Sequence, residues 1–173
     1  DSSTSRGLGD VYKRQGWALY KQVDRSLDLL PTAELEARYS VLESSLMRFG
    51  NEEHWGKMSR KLDQLGEEDR RIRFWAVSSD SRYEYGHPDA VIRHLAEGRP
   101  GMRDVYLADS PYPFKIMLSE LPAVEQRPPL RFLIGIDTDT FWNTQRTLLI
   151  ALVSLAVVLS LIHISEPTRR RGI

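Results

Sequence analysis

The sequence contains no cysteine, so disulfide bonds, thiolate metal sites and cysteine nucleophiles are all excluded; the absence suits any compartment. It has no excess of basic residues either, with 24 Lys and Arg against 24 Asp and Glu. Nucleic acid, which binds basic surfaces, is therefore not an expected partner. Between its two ends the chain lacks a Gly-rich phosphate loop, a His-Glu-x-x-His pair and a Gly-x-Ser-x-Gly turn, so catalysis has little support. There is no internal repeat and no low-complexity segment. What the chain does have is one long uncharged run, the eighteen residues Thr147 to Ile164, with Arg169, Arg170 and Arg171 after it.

Only part of that run belongs to the protein, because the end of the sequence mirrors the beginning at the level of codons. Gln15 written as CAG has the reverse complement CTG, a leucine codon, and Leu159 stands there. Arg14 as AGA gives TCT for Ser160, and Lys13 as AAG gives CTT for Leu161. The relation holds through eleven pairs, as far as Ser5 and Arg169. No folding constraint produces it, whereas one DNA tag joined in inverted orientation at both ends does. Residues 1–15 and 159–173 resemble translated sequencing-adapter DNA and are set aside as artefact. Six of the basic and three of the acidic residues lie there, which leaves 18 against 21 and a net charge of −3. His163 drops out as a ligand candidate, and the three arginines drop out as a positive-inside signal. The uncharged run shrinks to Thr147–Val158, about 18 Å of helix against a hydrocarbon core of ~30 Å. A buried core helix has this length too, but a transmembrane helix cut short by the tag explains it better.

About 140 residues remain, enough for one domain with a modest core. Tyr20, Val23, Leu27 and Leu30 recur at three- and four-residue steps, predicting an amphipathic helix that Pro31 ends. Leu35, Tyr39, Leu42, Leu46 and Phe49 continue the spacing in a second helix. A third, capped by Asn51, carries Trp55, Met58, Leu62 and Leu65 and is closed by Gly66. The period then becomes two. "RIRFWAV" alternates Ile72, Phe74 and Ala76, "SSDSR" turns, and "YEYG" resumes as a strand. Asp89 caps a short helix with Val91, Ile92 and Leu95 inward. "GMRDVYLA", "PFKIMLSEL" and "RFLIGID" read as three more strands, and Asp137 to Thr140 offer caps for a last helix starting near Phe141. The expected fold is α+β, an antiparallel sheet of about five strands with helices on one side. The expected division is a juxtamembrane or transmembrane helix over 16–30, a domain over 31–138, and a truncated transmembrane helix over 139–158.

The segments "RFWAVSSDSRYEYG" and "SELPAVEQRPPLRFLIGIDTDTF", leading directly into "TLLIALVSLAVV", resemble the periplasmic domain of heavy-metal, copper/silver-type two-component sensor histidine kinases. The resemblance covers nearly all of residues 16–158. It implies a PAS-like (PDC-like) fold between two transmembrane helices, in a homodimeric receptor of the bacterial inner membrane with its sensor in the periplasm. It further implies a cytoplasmic kinase, outside these residues, that uses ATP and phosphorylates a response regulator. A chemoreceptor, a nucleotide cyclase or a non-signalling membrane-tethered adaptor are the other outputs that such a module serves. The heptad-like spacing of residues 20–30 and 35–49 suits either a dimer seam or packing on the sheet; packing is favoured for 35–49.

A copper or silver ligand set without cysteine needs Met and His. The candidates are His54, His87, His94, Met47, Met58, Met102 and Met117. No two of the histidines share a helical face or a short extended spacing, and each reads more simply as structural. Met58 falls on a core stripe as a gap filler. Met117 alternates away from Phe114 and Ile116, so it and Met102 could face one pocket. The family's metal positions lie beside the membrane, at the start of the first helix and just after the last strand. Here Tyr20 and Asp24 stand near the first and "DTDTFW" at the second, with no histidine, so that site is not carried over. Asp137 and Asp139 suit a hard cation or, more simply, a helix cap. The run Glu67–Asp69 reads as a solvated turn.

Overall fold

The computed structural model describes residues 3–108 and 110–169. The chain divides into two compact units, Asp28–Asp139 and a second made of Asp1–Leu27 with Thr140–Ile173. In the second unit the described backbone is helical throughout. The side chains of Tyr20, Val23, Asp24 and Leu27, which carry the first expected helix face and one expected metal position, lie outside the described residues. Two helices supply this unit, the first part of α1 (Ser3–Leu46) and most of α4 (Asp139–Arg169). Residues Asp139–Leu159 of α4 are long and apolar enough to cross a membrane by length and composition, and their apolar window is wholly unburied in the chain itself. Twenty-one residues rise about 31 Å, close to a bilayer core.

Pro31 does not end the first helix. It sits inside α1 and is buried there. A proline removes one hydrogen bond, that from its own nitrogen to the Leu27 carbonyl, and bends the helix. Burial of Leu35, Tyr39, Leu42 and Leu46, all at 8% exposure or less, holds the next turns helical regardless. The stripe therefore packs inward, as its spacing favoured. Asn51 caps α2 (Glu52–Glu68), its Oδ1 accepting the His54 amide at 2.9 Å. Gly66 does not close α2; the helix continues to Glu68, where the Asp69 amide donates to the Leu65 carbonyl.

The sheet has four antiparallel strands in the order β1 (Ile72–Ser78), β4 (Leu130–Asp137), β3 (Phe114–Leu121), β2 (Gly101–Val105). Ile72 faces Ile136, Phe74 faces Ile134 and Ala76 faces Phe132, so one face is almost continuously apolar. That face packs on α1 and α2: Tyr39 meets the Phe132 ring at 6.5 Å, and its hydroxyl bonds Ser119 Oγ. The helices are not confined to that side. On the other face Trp75, Phe114, Ile116, Leu118 and Leu133 form a second core with Ile92 and Ala96 of α3 (Ala90–Ala96) and Leu107. Both faces being buried explains why strand β4 reads as a near-continuous apolar run rather than an alternation. Asp89 caps α3 as expected, accepting the Ile92 amide at 2.8 Å, but Val91 faces solvent at 43% exposure. The helix turns Ile92 and Ala96 into this core with Leu95 partly buried against it, which leaves Val91 on the outer side.

The expected fifth strand is absent. "YEYG" contributes a single bridge, Tyr85 to Ala76, beside the β1 edge. Gly86 and His87 come next with φ of +76° and +48°, which turns the chain away before a second rung forms. A Cβ on Gly86 would stand 2.1 Å from the Phe74 carbonyl oxygen, so glycine is required there by space as well as by angle.

Two polar devices tie the elements of this unit together. Arg38 and Arg71 both bond Asp69 Oδ2 at 2.8 Å and both reach Glu34, joining α1 to the start of β1. The Arg71 carbonyl in turn accepts the amide of Asp137, the last residue of β4. Arg127 is 1% exposed and donates to the Leu46 carbonyl at 2.6 Å and the Pro122 carbonyl at 3.0 Å. It thereby satisfies a carbonyl at the C-terminus of α1, where the helix dipole favours a cation. Burial lowers the Arg127 pKa from its ordinary value.

Candidate binding cleft

The turn that replaces the fifth strand forms one wall of a cleft. Residues Glu84, Tyr85, Gly86, His87 and Pro88 face Ser59 and Asp63 on α2, with Ser81 and Arg93 at its ends, around about 700 Å³. That volume is within the range of sites that enclose small ligands. A 3-10 turn, Ser81–Tyr83, positions the wall: Asp80 accepts the Arg82 amide, and Tyr83 is buried against Trp55, ring centroids 6.2 Å apart. His87 is a non-glycine residue in left-handed backbone, a conformation enriched where function or a tight turn over-determines it.

Two contacts set the electrostatics. The Tyr85 hydroxyl donates to Asp63 Oδ1 at 2.7 Å. Burial first, and then the adjoining Asp63 carboxylate, push the Tyr85 pKa well above the ordinary phenol value, so at neutral pH it is a donor. Arg93 meets Glu84 through two hydrogen bonds of 2.7 and 3.0 Å, and these hold the Glu84 pKa below the usual carboxylate range. The cleft thus offers fixed hydrogen-bond donors and acceptors.

The metal candidates do not converge. Met102 and Met117 are register partners across β2 and β3, half-buried on the α1 side of the sheet. Asp137 pairs with Phe114 on the opposite side, and its Oδ1 accepts the Asp139 amide at 2.9 Å, which is a cap at the start of α4. His54 meets the Phe49 ring in a tilted contact with centroids 6.2 Å apart, His87 lines the cleft, and His94 is exposed on α3 beside Glu97. Met58 is fully buried core and Met47 is exposed just after α1. Among the described residues no group of three or more His, Asp or Glu side chains is placed to hold a metal ion. Nothing in the sequence marks Tyr85 and Asp63 as partners, since 22 residues and no shared pattern separate them. The Gly-His-Pro turn is the one legible signal.

What these elements define is an α+β domain with one antiparallel four-stranded sheet covered on both faces. A scan of protein-family models found no match to the chain, and neither the curated proteins nor the solved structures contained one.

Proposed function

We propose that residues 28–139 are the signal-receiving domain of a membrane-tethered receptor, the extracytoplasmic part of a two-component sensor histidine kinase of the heavy-metal-sensor type. The observation that carries this reading is the sequence continuity of β4 with α4: Asp137 ends the strand, and an apolar helix of membrane-spanning length begins at Asp139 with no linker. A strand inside a packed sheet that runs into such a helix is suited to pass a displacement along it, a common switch geometry. The cleft beside Tyr85 supplies a place for a ligand. A homodimer of the inner membrane fits α1, whose outward side carries Leu30, Ala33, Ala37, Val41 and Ser44 at three- and four-residue steps without a charge. On this reading a kinase region of the parent protein would use ATP and pass the phosphoryl group to a separate response regulator, and the flanks 1–15 and 159–173 would be adapter sequence.

Recovering the parent gene tests the proposal. A HAMP-like helical linker after Val158, and beyond it a helix bearing a phosphoacceptor histidine, is the expected result. A chemoreceptor or cyclase output, or none, would replace the kinase reading by a sensor of another output or by a tethered adaptor. The ligand is open to a metal ion, but the paired thioethers Met102 and Met117 are a sparse set. Weak or absent Cu(I) binding is expected in a competition titration of the whole chain; tight stoichiometric binding abolished by Met102→Leu or Met117→Leu would reverse that.

A further inference from the structure

Large apolar side chains that face water are few in the unit Asp28–Asp139, and they gather at one end of it. Among its described residues, those more than half exposed are Val41, Tyr106, Leu29 and Leu30, at 71%, 70%, 65% and 51%. Three of the four share one end of the sheet, and strand register fixes which. Val105 pairs with Phe114, Phe114 pairs with Asp137, and the Asp137 amide donates to the Arg71 carbonyl, so these residues form one row across the sheet. Tyr106 stands one residue beyond that row, following a strand two spacings, or about 10 Å, from β4. Leu107 holds it in place: that side chain is buried in the core beneath α3, which leaves Tyr106 and Ala108 outward. On α1, Glu34 reaches Arg71 at the same row. The helix runs from there to the opposite end of the sheet, where the Leu46 carbonyl meets Arg127. Leu29 and Leu30 come about one turn before Glu34 and so lie beyond the row as well.

The chain also leaves for α4 at this end. Asp137 closes β4, and the Thr138 hydroxyl donates to the Pro113 carbonyl at 2.6 Å, tying the residue before α4 to the start of β3. The segment of membrane-spanning length begins at the next residue, Asp139. We propose that Tyr106, with Leu29 and Leu30, seats this end of the domain in the headgroup region of a lipid bilayer, a placement that rests on α4 being a membrane span. A bilayer that begins near Asp139 meets first what the domain presents just beyond the row, and there it presents three exposed apolar side chains. Tyrosine suits the position, because its ring is apolar while its hydroxyl keeps a partner among headgroups and water. Single exposed apolar residues need no explanation, but three beside a helix of membrane length have a common occupant in lipid. Seated so, the domain gains a further attachment at its edge strand β2, which resists rocking about the junction of Thr138 and Asp139.

The absence of cysteine lets a nitroxide label be placed at one chosen site in the whole chain. Three exposed alanines serve: Ala108→Cys beside Tyr106, Ala123→Cys at the opposite end of the sheet, and Ala151→Cys within α4. Each is measured in nanodiscs of phosphatidylcholine and phosphatidylglycerol. The quantity read is the ratio of collisions with oxygen, which concentrates in lipid, to collisions with a water-soluble nickel chelate. The ratio at 108 is expected to exceed that at 123 at least threefold, and adding Tyr106→Ser is expected to lower it at least twofold. With the label at 151 in hydrocarbon, a site 108 as open to nickel as site 123 would overturn the proposal and leave the receptor reading standing. So would a ratio indifferent to Tyr106→Ser, or a label at 108 shielded from both reagents, which would mean that protein covers it. A label at 151 in water would overturn both.

Discussion

At the scale of single residues, two glycines carry more of the fold than their size suggests. Gly135 lies under the Trp75 indole: a Cβ there would stand 2.9 Å from the ring and 3.3 Å from Ile116. Gly135→Ala is expected to cost about 1–3 kcal/mol, the usual range for overpacking a filled core. Equilibrium urea unfolding, read as a fall in midpoint at unchanged slope, checks it. Gly86→Ala meets backbone rather than a side chain and also strains φ, so a larger loss is expected, together with loss of the Tyr85–Ala76 rung in hydrogen exchange. Neither requirement is readable from sequence. Gly135 sits in an apolar run where nothing marks it, because the residue it accommodates is 60 positions earlier.

The elements are legible where local chemistry decides and illegible where the rest of the fold does. Asn51 and Asp89 cap their helices as the sequence predicts, because capping involves four consecutive residues. Asp89→Ala should accordingly destabilise by about 1 kcal/mol in the same unfolding assay. Pro31 reads as a terminator and is not one, because the buried turns after it outweigh one missing hydrogen bond. Replacing it tests that balance: Pro31→Ala restores an amide donor for Leu27 and is expected to raise stability by about 1 kcal/mol, after loss of the ring's own burial. A thermal melt that falls instead would show that the ring's packing outweighs the bond. The alternation in "YEYG" predicts a fifth strand, and two left-handed residues cut it to one rung.

For the whole molecule, acid sensitivity is set by the carboxylates that join elements. Hydrogen bonds from Arg71 hold the Asp69 pKa below the usual range. A depressed folded-state pKa means that the stabilisation is complete above the unfolded-state value, about 3.9, and is lost as pH falls through the folded one. Stability should therefore be level from neutral pH down to about 4 and fall below that, and Asp69→Asn should lower the plateau and flatten the acid limb. Urea midpoints across a pH series read both effects.

The buried guanidinium of Arg127 has a consequence for how the chain reaches this state. The carbonyl it serves at the end of α1 lies 81 positions earlier, so that terminus is completed only after most of the domain has been threaded into place. Closing so long a loop costs entropy before the contact repays it, which slows folding and discourages half-formed species. A nascent chain halted before position 127 should keep a frayed helix end, and the finished domain should open as one cooperative block.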